Sequence, residues 1–242
     1  MTRSITDELR ALPPGLHGGG DEFRGLAWPA LAWLERDVRP GMRTLETGAG
    51  ASTLAFAAGG ADHVAITPDP GEEHRIRAQA ARMEIDTSKV HFEIGPSHEV
   101  LAQRGPGPLL DLVLIDGAHG FPYPILDWWL VTPHLKVGGR MLLDDAYMPP
   151  VTALVDALRA QPAWEVEGSV GYRTAIVRKV AAELPHFDWQ GERIGGRMTF
   201  RHLPPHERAV AAVRHRVFST RAGLALVARL RRRSKLSWRQ TG

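Results

Sequence analysis

The sequence of 242 residues contains no cysteine, which excludes disulfide bonds and thiolate metal sites. It also lacks any apolar run of the ~18 residues that a membrane-spanning helix needs. The first ten residues are polar and have no signal-peptide core, so we expect a cytoplasmic protein without a transmembrane segment. Hydrophobic residues make up 43% of the chain and charged residues 24%, as in ordinary globular proteins, and the length allows one α/β domain with an additional segment.

Positive charge is scarce in most of the chain and concentrated near its end. Residues 1–179 hold 17 basic and 23 acidic side chains, whereas residues 180–242 hold 13 basic and 4 acidic ones. A basic segment of this kind can bind nucleic acid or anionic lipid. It can equally be a solvated helix surface, cover the acidic part of the chain or form a contact between two copies, and the sequence leaves these alternatives open.

Three segments are predicted. Residues 1–22 are rich in proline and glycine and indicate a loose N-terminal segment. Residues 23–180 indicate one domain, because apolar runs of strand length alternate with segments of helical periodicity. Residues 181–242 are predicted to form a basic helical C-terminal extension, with helices over residues 206–218 and 222–233.

The alternation within the central domain predicts an α/β fold with a doubly wound, mostly parallel sheet of seven strands. The predicted strands cover residues 42–47, 63–67, 90–94, 111–116, 140–144, 164–167 and 172–178. The predicted helices cover residues 23–38, 51–58, 71–83, 98–103, 123–135 and 151–161. Ligands of such sheets bind at the carboxyl ends of the strands, so we expect the functional residues there.

The strongest motif, Glu46-Thr47-Gly48-Ala49-Gly50, lies between the first predicted strand and the next helix. Its glycines permit a tight turn that a ligand can approach closely. The backbone amides of Ser52 and Thr53 would open the helix, where negative groups are stabilised. A dinucleotide fingerprint would need glycine at position 53, and the Gly-Lys-Ser/Thr ending of a phosphate loop is absent. Glu46 would repel a pyrophosphate and suits a ligand that carries positive charge.

S-adenosylmethionine combines an ammonium and a sulfonium group with a carboxylate, which matches both the acid and the helix amides. The Glu-x-Gly-x-Gly motif resembles the first motif of the class I S-adenosylmethionine-dependent methyltransferases, and the resemblance extends over roughly residues 24–180. It implies a Rossmann-like methyltransferase fold with this cofactor, although a purely structural turn is the alternative. The cofactor-binding residues that the resemblance implies are Glu46, Thr47, Gly48, Gly50, Ser52, Thr53, Asp69, Ser97 and Asp116.

The sequence departs from the family pattern after the second and third strands. The family usually has an acid at the end of the second strand, where Thr67 stands here, so Asp69 is the predicted ribose ligand and Glu72 the alternative. Pro96 stands where many relatives have an aspartate near the adenine, which leaves that role to Ser97 or to the backbone. Asp69 could equally be a turn residue and Ser97 a helix N-cap.

Three carboxylates follow the fourth and fifth strands, namely Asp116, Asp144 and Asp145. Neighbouring parallel strands lie about 4.8 Å apart, so we expect these groups to converge, and a proton or a cation must then offset their repulsion. The set resembles that of cation-dependent O-methyltransferases acting on catechols and on macrolide sugars. By this resemblance the three aspartates would bind a divalent cation, Mg²⁺ above all, with Ca²⁺ or Mn²⁺ as alternatives. Asp116 could instead serve only the cofactor, and Asp145 could only cap a helix.

His119 lies three residues after Asp116, where those relatives carry a lysine or histidine as general base. Because an imidazole accepts a proton near neutral pH, His119 is the predicted catalytic residue. The predicted function is methyl transfer from S-adenosylmethionine to a hydroxyl oxygen of a small molecule. An RNA methyltransferase guided by the basic segment and a non-catalytic binding protein of the same fold are the alternatives. Tyr147 and Met148 are predicted to shape the acceptor pocket, since loops after strands carry specificity.

Overall fold

The computed structural model describes residues 4–11, 16, 25–182, 204–205, 207–210 and 213. The strands within them are β1 (Arg43–Thr47), β2 (Asp62–Thr67), β3 (Val90–Ile94), β4 (Leu110–Ile115), β5 (Leu135–Leu143), β6 (Trp164–Val170) and β7 (Thr174–Lys179). The α-helices are α1 (Ile5–Ala11), α2 (Trp28–Asp37), α3 (Ala51–Ala58), α4 (Pro70–Arg82), α5 (Ser97–Ala102), α6 (Tyr123–Val131) and α7 (Pro149–Arg159).

All seven strands form one sheet in the order β3-β2-β1-β4-β5-β7-β6. Strands β1 to β5 run parallel, and β7 pairs antiparallel with both β5 and β6. This confirms the predicted α/β fold with its mostly parallel, doubly wound sheet. Because the strand order reverses between β1 and β4, the carboxyl ends of these two strands flank the crevice where such sheets bind ligands.

Both faces of the sheet are buried at β4, which explains why this strand is apolar from Leu112 to Ile115. Leu112 and Leu114 belong to one hydrophobic core, together with residues of α1 to α4. Val113 and Ile115 belong to the other core, together with residues of α5 to α7. Alternate side chains of a strand point to opposite faces, so a central parallel strand needs apolar residues at every position.

The main difference from the predicted elements lies between α6 and β5. One helix was expected over residues 123–135, but α6 ends at Val131 and a 3₁₀ helix covers Thr132–His134. Pro133 lacks a backbone amide and cannot continue an α-helix. The chain then enters β5 five residues earlier than predicted, where Leu135 pairs with Leu110 of β4.

Helix α1 corrects the expectation of a loose N-terminal segment. The carboxylate of Glu35, in α2, accepts hydrogen bonds from the Ser4 hydroxyl, the Ile5 amide, and the amide and hydroxyl of Thr6. These bonds satisfy the first amides of the helix, and Leu9 on the same helix is buried. The sequence does not reveal this cap because the acceptor lies about thirty residues away.

We expect Glu35→Ala to destabilise the fold at neutral pH and to matter less in acid. Partial burial raises the pKa of Glu35, but hydrogen bonds from Thr6, Ile5 and Ser4 outweigh it, so the pKa lies below its usual value. A carboxyl with a lowered folded-state pKa stabilises the protein above its unfolded pKa, and this contribution disappears as the pH falls through the folded pKa. Hydrogen bonds to a charged group contribute ~1.5–3 kcal/mol to the free energy of unfolding. Because Glu35 is partly exposed, solvent screening reduces the expected loss to about 1 kcal/mol.

Urea unfolding of the wild type, Glu35→Ala and Glu35→Gln at pH 7 and pH 3 measures this contribution. The alanine variant should be less stable at pH 7, with a much smaller difference at pH 3. Glutamine keeps an acceptor oxygen and should recover part of the loss. Equal differences at both pH values would show that the charge of Glu35 does not hold α1.

No helix in the described ranges has the length and apolar character needed to cross a membrane. The chain divides into two compact units, residues 1–195 and residues 196–242, and the whole sheet belongs to the first. The predicted C-terminal helices lie almost entirely outside the described residues.

Candidate functional site

Two adjoining pockets lie at the carboxyl end of the sheet. The first, here called the glycine-turn pocket, has a volume of about 550 Å³, and its lining includes Gly48, Thr67, Asp69, Ser97, His98 and Tyr123. The second, here called the carboxylate pocket, has a volume of about 400 Å³, and its lining includes Leu26, Gly50, Ser52, His119, Asp145 and Arg173. Ala49 and Asp116 line both pockets, so the two spaces meet at these residues.

Gly48 fixes how closely the turn after β1 approaches the end of β4. Its φ of +86° lies in the left-handed region that favours glycine. A Cβ atom at this position would lie 2.4 Å from the carbonyl oxygen of Asp116. The sequence motif therefore reflects a real steric requirement at the junction of the two pockets.

The buried carboxylate of Glu46 stabilises this turn from the protein interior. Glu46, Thr47 and Thr53 are fully buried, and none of them lines either pocket. Their direct contact with a cofactor stays a prediction. The Thr53 hydroxyl donates to Glu46 and accepts from the Gly50 amide at 3.0 Å. Oε1 of Glu46 also lies 3.2 Å from Nε2 of the buried His63. These bonds fix the start of α3, whose first residues Ala51 and Ser52 line the carboxylate pocket.

Both alternatives for the ribose contact lie in the glycine-turn pocket. Asp69 caps α4 by accepting from the Gly71 amide at 2.8 Å, and its other oxygen accepts from Arg75 at 2.6 Å. The bonds from Arg75 and Gly71 hold the pKa of Asp69 below its usual value. Glu72 accepts from the Thr67 hydroxyl. Asp69 therefore has the structural role in the turn that was the alternative from the sequence, here as the N-cap of α4. It is also a charged group at the pocket wall.

Ser97 lines the glycine-turn pocket, and its hydroxyl donates to both carboxylate oxygens of Asp127 at 2.9 Å. It is the first residue of α5 rather than its N-cap, a place that Pro96 takes. Burial raises the pKa of Asp127, and the bond from Ser97 opposes the increase. Beside Ser97, the rings of His98 and Tyr123 lie 5.1 Å apart. His98 was not predicted as a site residue, since nothing in the sequence distinguishes it from other helical histidines.

The carboxylates after β4 and β5 converge as predicted, but an arginine lies among them. Asp144 accepts from the Thr174 hydroxyl at 2.5 Å and from Arg173 Nη2 at 2.8 Å. Arg173 Nε lies 2.6 Å from Asp145 Oδ1, a charge contact rather than an aligned hydrogen bond. Asp145 has a φ of +51°, uncommon for a non-glycine residue.

Arg173 explains why the predicted metal ligands do not fit a divalent cation in this arrangement. Both oxygens of Asp144 and one oxygen of Asp145 already face donors of Arg173 or Thr174. Among the described residues, no group of three or more His, Asp or Glu side chains is arranged to hold a metal ion. Burial and the nearby charges of Asp144 and Glu46 raise the pKa of Asp116 well above its usual value.

His119 lies between the acids at the wall of the carboxylate pocket. Its Nε2 atom is 3.4 Å from Asp145 Oδ2 and 3.6 Å from Asp116 Oδ1. The Tyr147 hydroxyl donates to Asp145, and this bond with the Asp145 charge raises the pKa of Tyr147. The imidazole is 26% exposed, so a bound molecule can reach it, and two acids can orient it.

Sequence reasoning missed Arg173 because its position depends on strand pairing. Leu143 of β5 pairs with Ala175 of β7 in antiparallel register. Thr174 and Arg173 therefore lie alongside Asp144 and Asp145, although the two pairs are far apart in the sequence. The sequence predicts the final hairpin but not how its strand pairs with β5. That register would have placed Arg173 beside the aspartates.

Comparison with known proteins gives a family match over part of the sequence and similar solved structures for the fold. Residues 45–146 match a family model described as a methyltransferase domain. The structure resembles the O-methyltransferase from Bacillus cereus in complex with S-adenosylhomocysteine, with 15% identity, a TM-score of 0.61, and coverage of 75% of this chain and 92% of that one. TomG from Streptomyces achromogenes, an O-methyltransferase involved in tomaymycin synthesis and solved with S-adenosylmethionine, gives 15% identity, a TM-score of 0.56 and the same coverages.

TrmN from Thermus thermophilus gives 21% identity and a TM-score of 0.50 over 65% of this chain, and the match spans half the length of that protein. No curated protein matches the chain. At these identities the solved structures establish the fold, and the family model describes residues 45–146 as a methyltransferase domain.

Proposed function

We propose that the chain is a class I S-adenosylmethionine-dependent methyltransferase and that it methylates a hydroxyl oxygen of a small molecule. The match of residues 45–146 to a methyltransferase-domain model and the strand order of the sheet support this proposal. The observation that carries this proposal is the junction of the two pockets at Ala49 and Asp116. One pocket has the groups that a nucleoside needs. The other holds the histidine that can take a proton.

In this proposal the glycine-turn pocket receives the adenosine part of the cofactor. Asp69 or Glu72 accepts hydrogen bonds from the ribose hydroxyls, and the rings of His98 and Tyr123 flank the base. The N-terminus of α3 favours the carboxylate of the methionine part. Gly48 keeps side-chain atoms out of the space between them. Glu46 and Thr53 contribute by fixing the turn.

The carboxylate pocket would then hold the acceptor next to the methyl group, which would lie near the junction of the two pockets. The acceptor oxygen bonds to the methyl carbon as the bond from carbon to the sulfonium sulfur breaks, which leaves a neutral thioether. Asp145 and Asp116 orient the imidazole through its Nε2–H, and the other ring nitrogen, Nδ1, takes the proton of the acceptor hydroxyl. Holding the three reacting atoms in line supplies much of the acceleration.

The divalent cation that the sequence resemblance implied has no step in this proposal. Two of its three aspartates, Asp144 and Asp145, are the groups that Arg173 and Thr174 contact. Asp116 lines both pockets and would face the positive end of the cofactor.

The size of the carboxylate pocket, about 400 Å³, favours a small acceptor, since pockets of ~300–1,000 Å³ hold small molecules. Tyr147, 66% exposed, would lie at the edge of the acceptor. The alternative of an RNA acceptor depends on the basic segment, most of which lies outside the described residues, and no described contact favours it.

The test is transfer of a labelled methyl group from S-adenosylmethionine to a panel of catechols, other phenols and sugars, with total tRNA in a parallel reaction. We expect label in a small molecule, with one methyl group added on oxygen by mass and NMR analysis. Label found only in RNA, or only on nitrogen, would contradict the proposed acceptor class.

A further inference from the structure

We propose that Arg173 is the resident counter-cation of the carboxylate pocket: its guanidinium occupies the place between Asp144 and Asp145 that a divalent cation would need, and it presents positive charge to the acceptor. The inference rests on the proposed function for the identity of the acceptor site. It goes further by assigning a positioning role to an arginine and by making the site independent of a metal ion.

The contacts of Arg173 use one edge of the guanidinium. Nε and Nη2 bond Asp144 Oδ2 at 3.0 Å and 2.8 Å, and Nε also lies 2.6 Å from Asp145 Oδ1. Among the described contacts Nη1 makes none. Because Arg173 lines the carboxylate pocket and a guanidinium carries five N–H donors, donors remain for an acceptor oxygen.

The backbone around Arg173 is held on both sides, unlike that of a surface arginine on a free loop. Its carbonyl oxygen accepts from the Ala146 amide at 2.7 Å, directly after the two aspartates. The next residue, Thr174, bonds Asp144 through its hydroxyl. In the preceding turn, a Cβ at Gly171 would lie 3.1 Å from Pro29 of α2. The guanidinium is therefore fixed relative to the carboxylates by the β5–β7 pairing.

The burial of Asp144 makes the charge of Arg173 necessary. The Asp144 side chain is fully buried, and the Asp145 side chain is 9% exposed. A buried carboxylate without a partner is strongly unfavourable, whereas a charge-assisted bond to arginine offsets that cost. If the guanidinium is removed, carboxylate oxygens remain that hard divalent cations prefer as ligands.

The test compares Mn²⁺ binding, read from the electron paramagnetic resonance signal of free Mn²⁺, for the wild type, Arg173→Ala and Arg173→Gln. We expect the wild type to bind Mn²⁺ weakly and both variants to bind it about tenfold or more tightly, since an opposite charge shifts a carboxylate's equilibria by that much. Adding Asp144→Asn to either variant should abolish the gain. If Arg173 only stabilised the fold, removing its guanidinium would not create a site that binds Mn²⁺.

Arg104→Gln is the matched control, because Arg104 pairs with Glu93 at 3.2 Å outside both pockets, and it should gain no Mn²⁺ binding. Micromolar Mn²⁺ binding by the wild type that Asp144→Asn removes would overturn the inference, and this titration does not depend on any arginine variant folding. Unchanged Mn²⁺ affinity in folded arginine variants would also overturn it. Binding of S-adenosylhomocysteine by the same wild-type sample tests the proposed function separately, since it does not involve Arg173.

Discussion

Gly48→Ala should abolish measurable binding of S-adenosylhomocysteine. The backbone of Gly48 has a φ of +86°, which costs an L-residue about 1–2 kcal/mol. The added Cβ would also lie 2.4 Å from the Asp116 carbonyl oxygen, so either the turn or the end of β4 must move. Strain alone reduces affinity by about tenfold, and movement of the pocket junction should raise the loss well above that.

Calorimetric titration measures this loss, and Gly120→Ala is the control. A Cβ at Gly120 would meet nothing within 4 Å, although the residue follows His119 directly. Thermal unfolding of both variants separates loss of binding from loss of folding. Equal affinities of the two variants would mean that the turn after β1 does not shape the cofactor site.

His119→Ala should reduce turnover by about 10²–10⁴-fold, the range for a positioned general base, with little change in S-adenosylhomocysteine affinity. The imidazole faces the carboxylate pocket and does not line the glycine-turn pocket. Its loss should therefore affect proton transfer and leave the nucleoside contacts in place.

Single-turnover rates of methyl transfer, measured with an acceptor found in the panel, give this ratio. His74→Ala is the control, since His74 is exposed on α4 and lines neither pocket. Wild-type rates in His119→Ala would remove the imidazole from the mechanism. They would leave Asp145 or Tyr147 as the group to test next.

The fold could be predicted from the sequence because its signals are local. The uninterrupted apolar centre of β4 reflects burial on both faces of the sheet. The glycine turn is also local, since the φ of Gly48 and the strand before it are set by neighbouring residues. These two features were sufficient for the fold class and for the carboxyl-end location of the site.

The features that the sequence did not reveal depend on residues distant along the chain. Helix α1 needs a cap from Glu35, and the acidic cluster needs Arg173, the residue directly before β7. The convergence of Asp116, Asp144 and Asp145 was predicted correctly from strand adjacency. The sequence could not show which positive group offsets their charge, because an arginine of the chain and a bound metal ion meet the same electrostatic requirement.

The direct cofactor contacts expected of Glu46 and Thr53 stay a prediction. A motif gives residue identity but not the direction of a side chain behind a turn. In the structure the two side chains bond each other and lie next to His63 in the core. Their contribution to the cofactor site, as proposed here, is to hold the backbone that the ligand contacts.

The most direct test of the central claim is titration of the chelator-treated wild-type protein with S-adenosylhomocysteine in a calorimeter, with and without Mg²⁺. We expect saturable binding in both conditions, with the same dissociation constant, because the glycine-turn pocket and the Arg173 ion pair need no added ion. The absence of binding in both conditions would contradict the assignment of the two pockets to this cofactor and to methyl transfer.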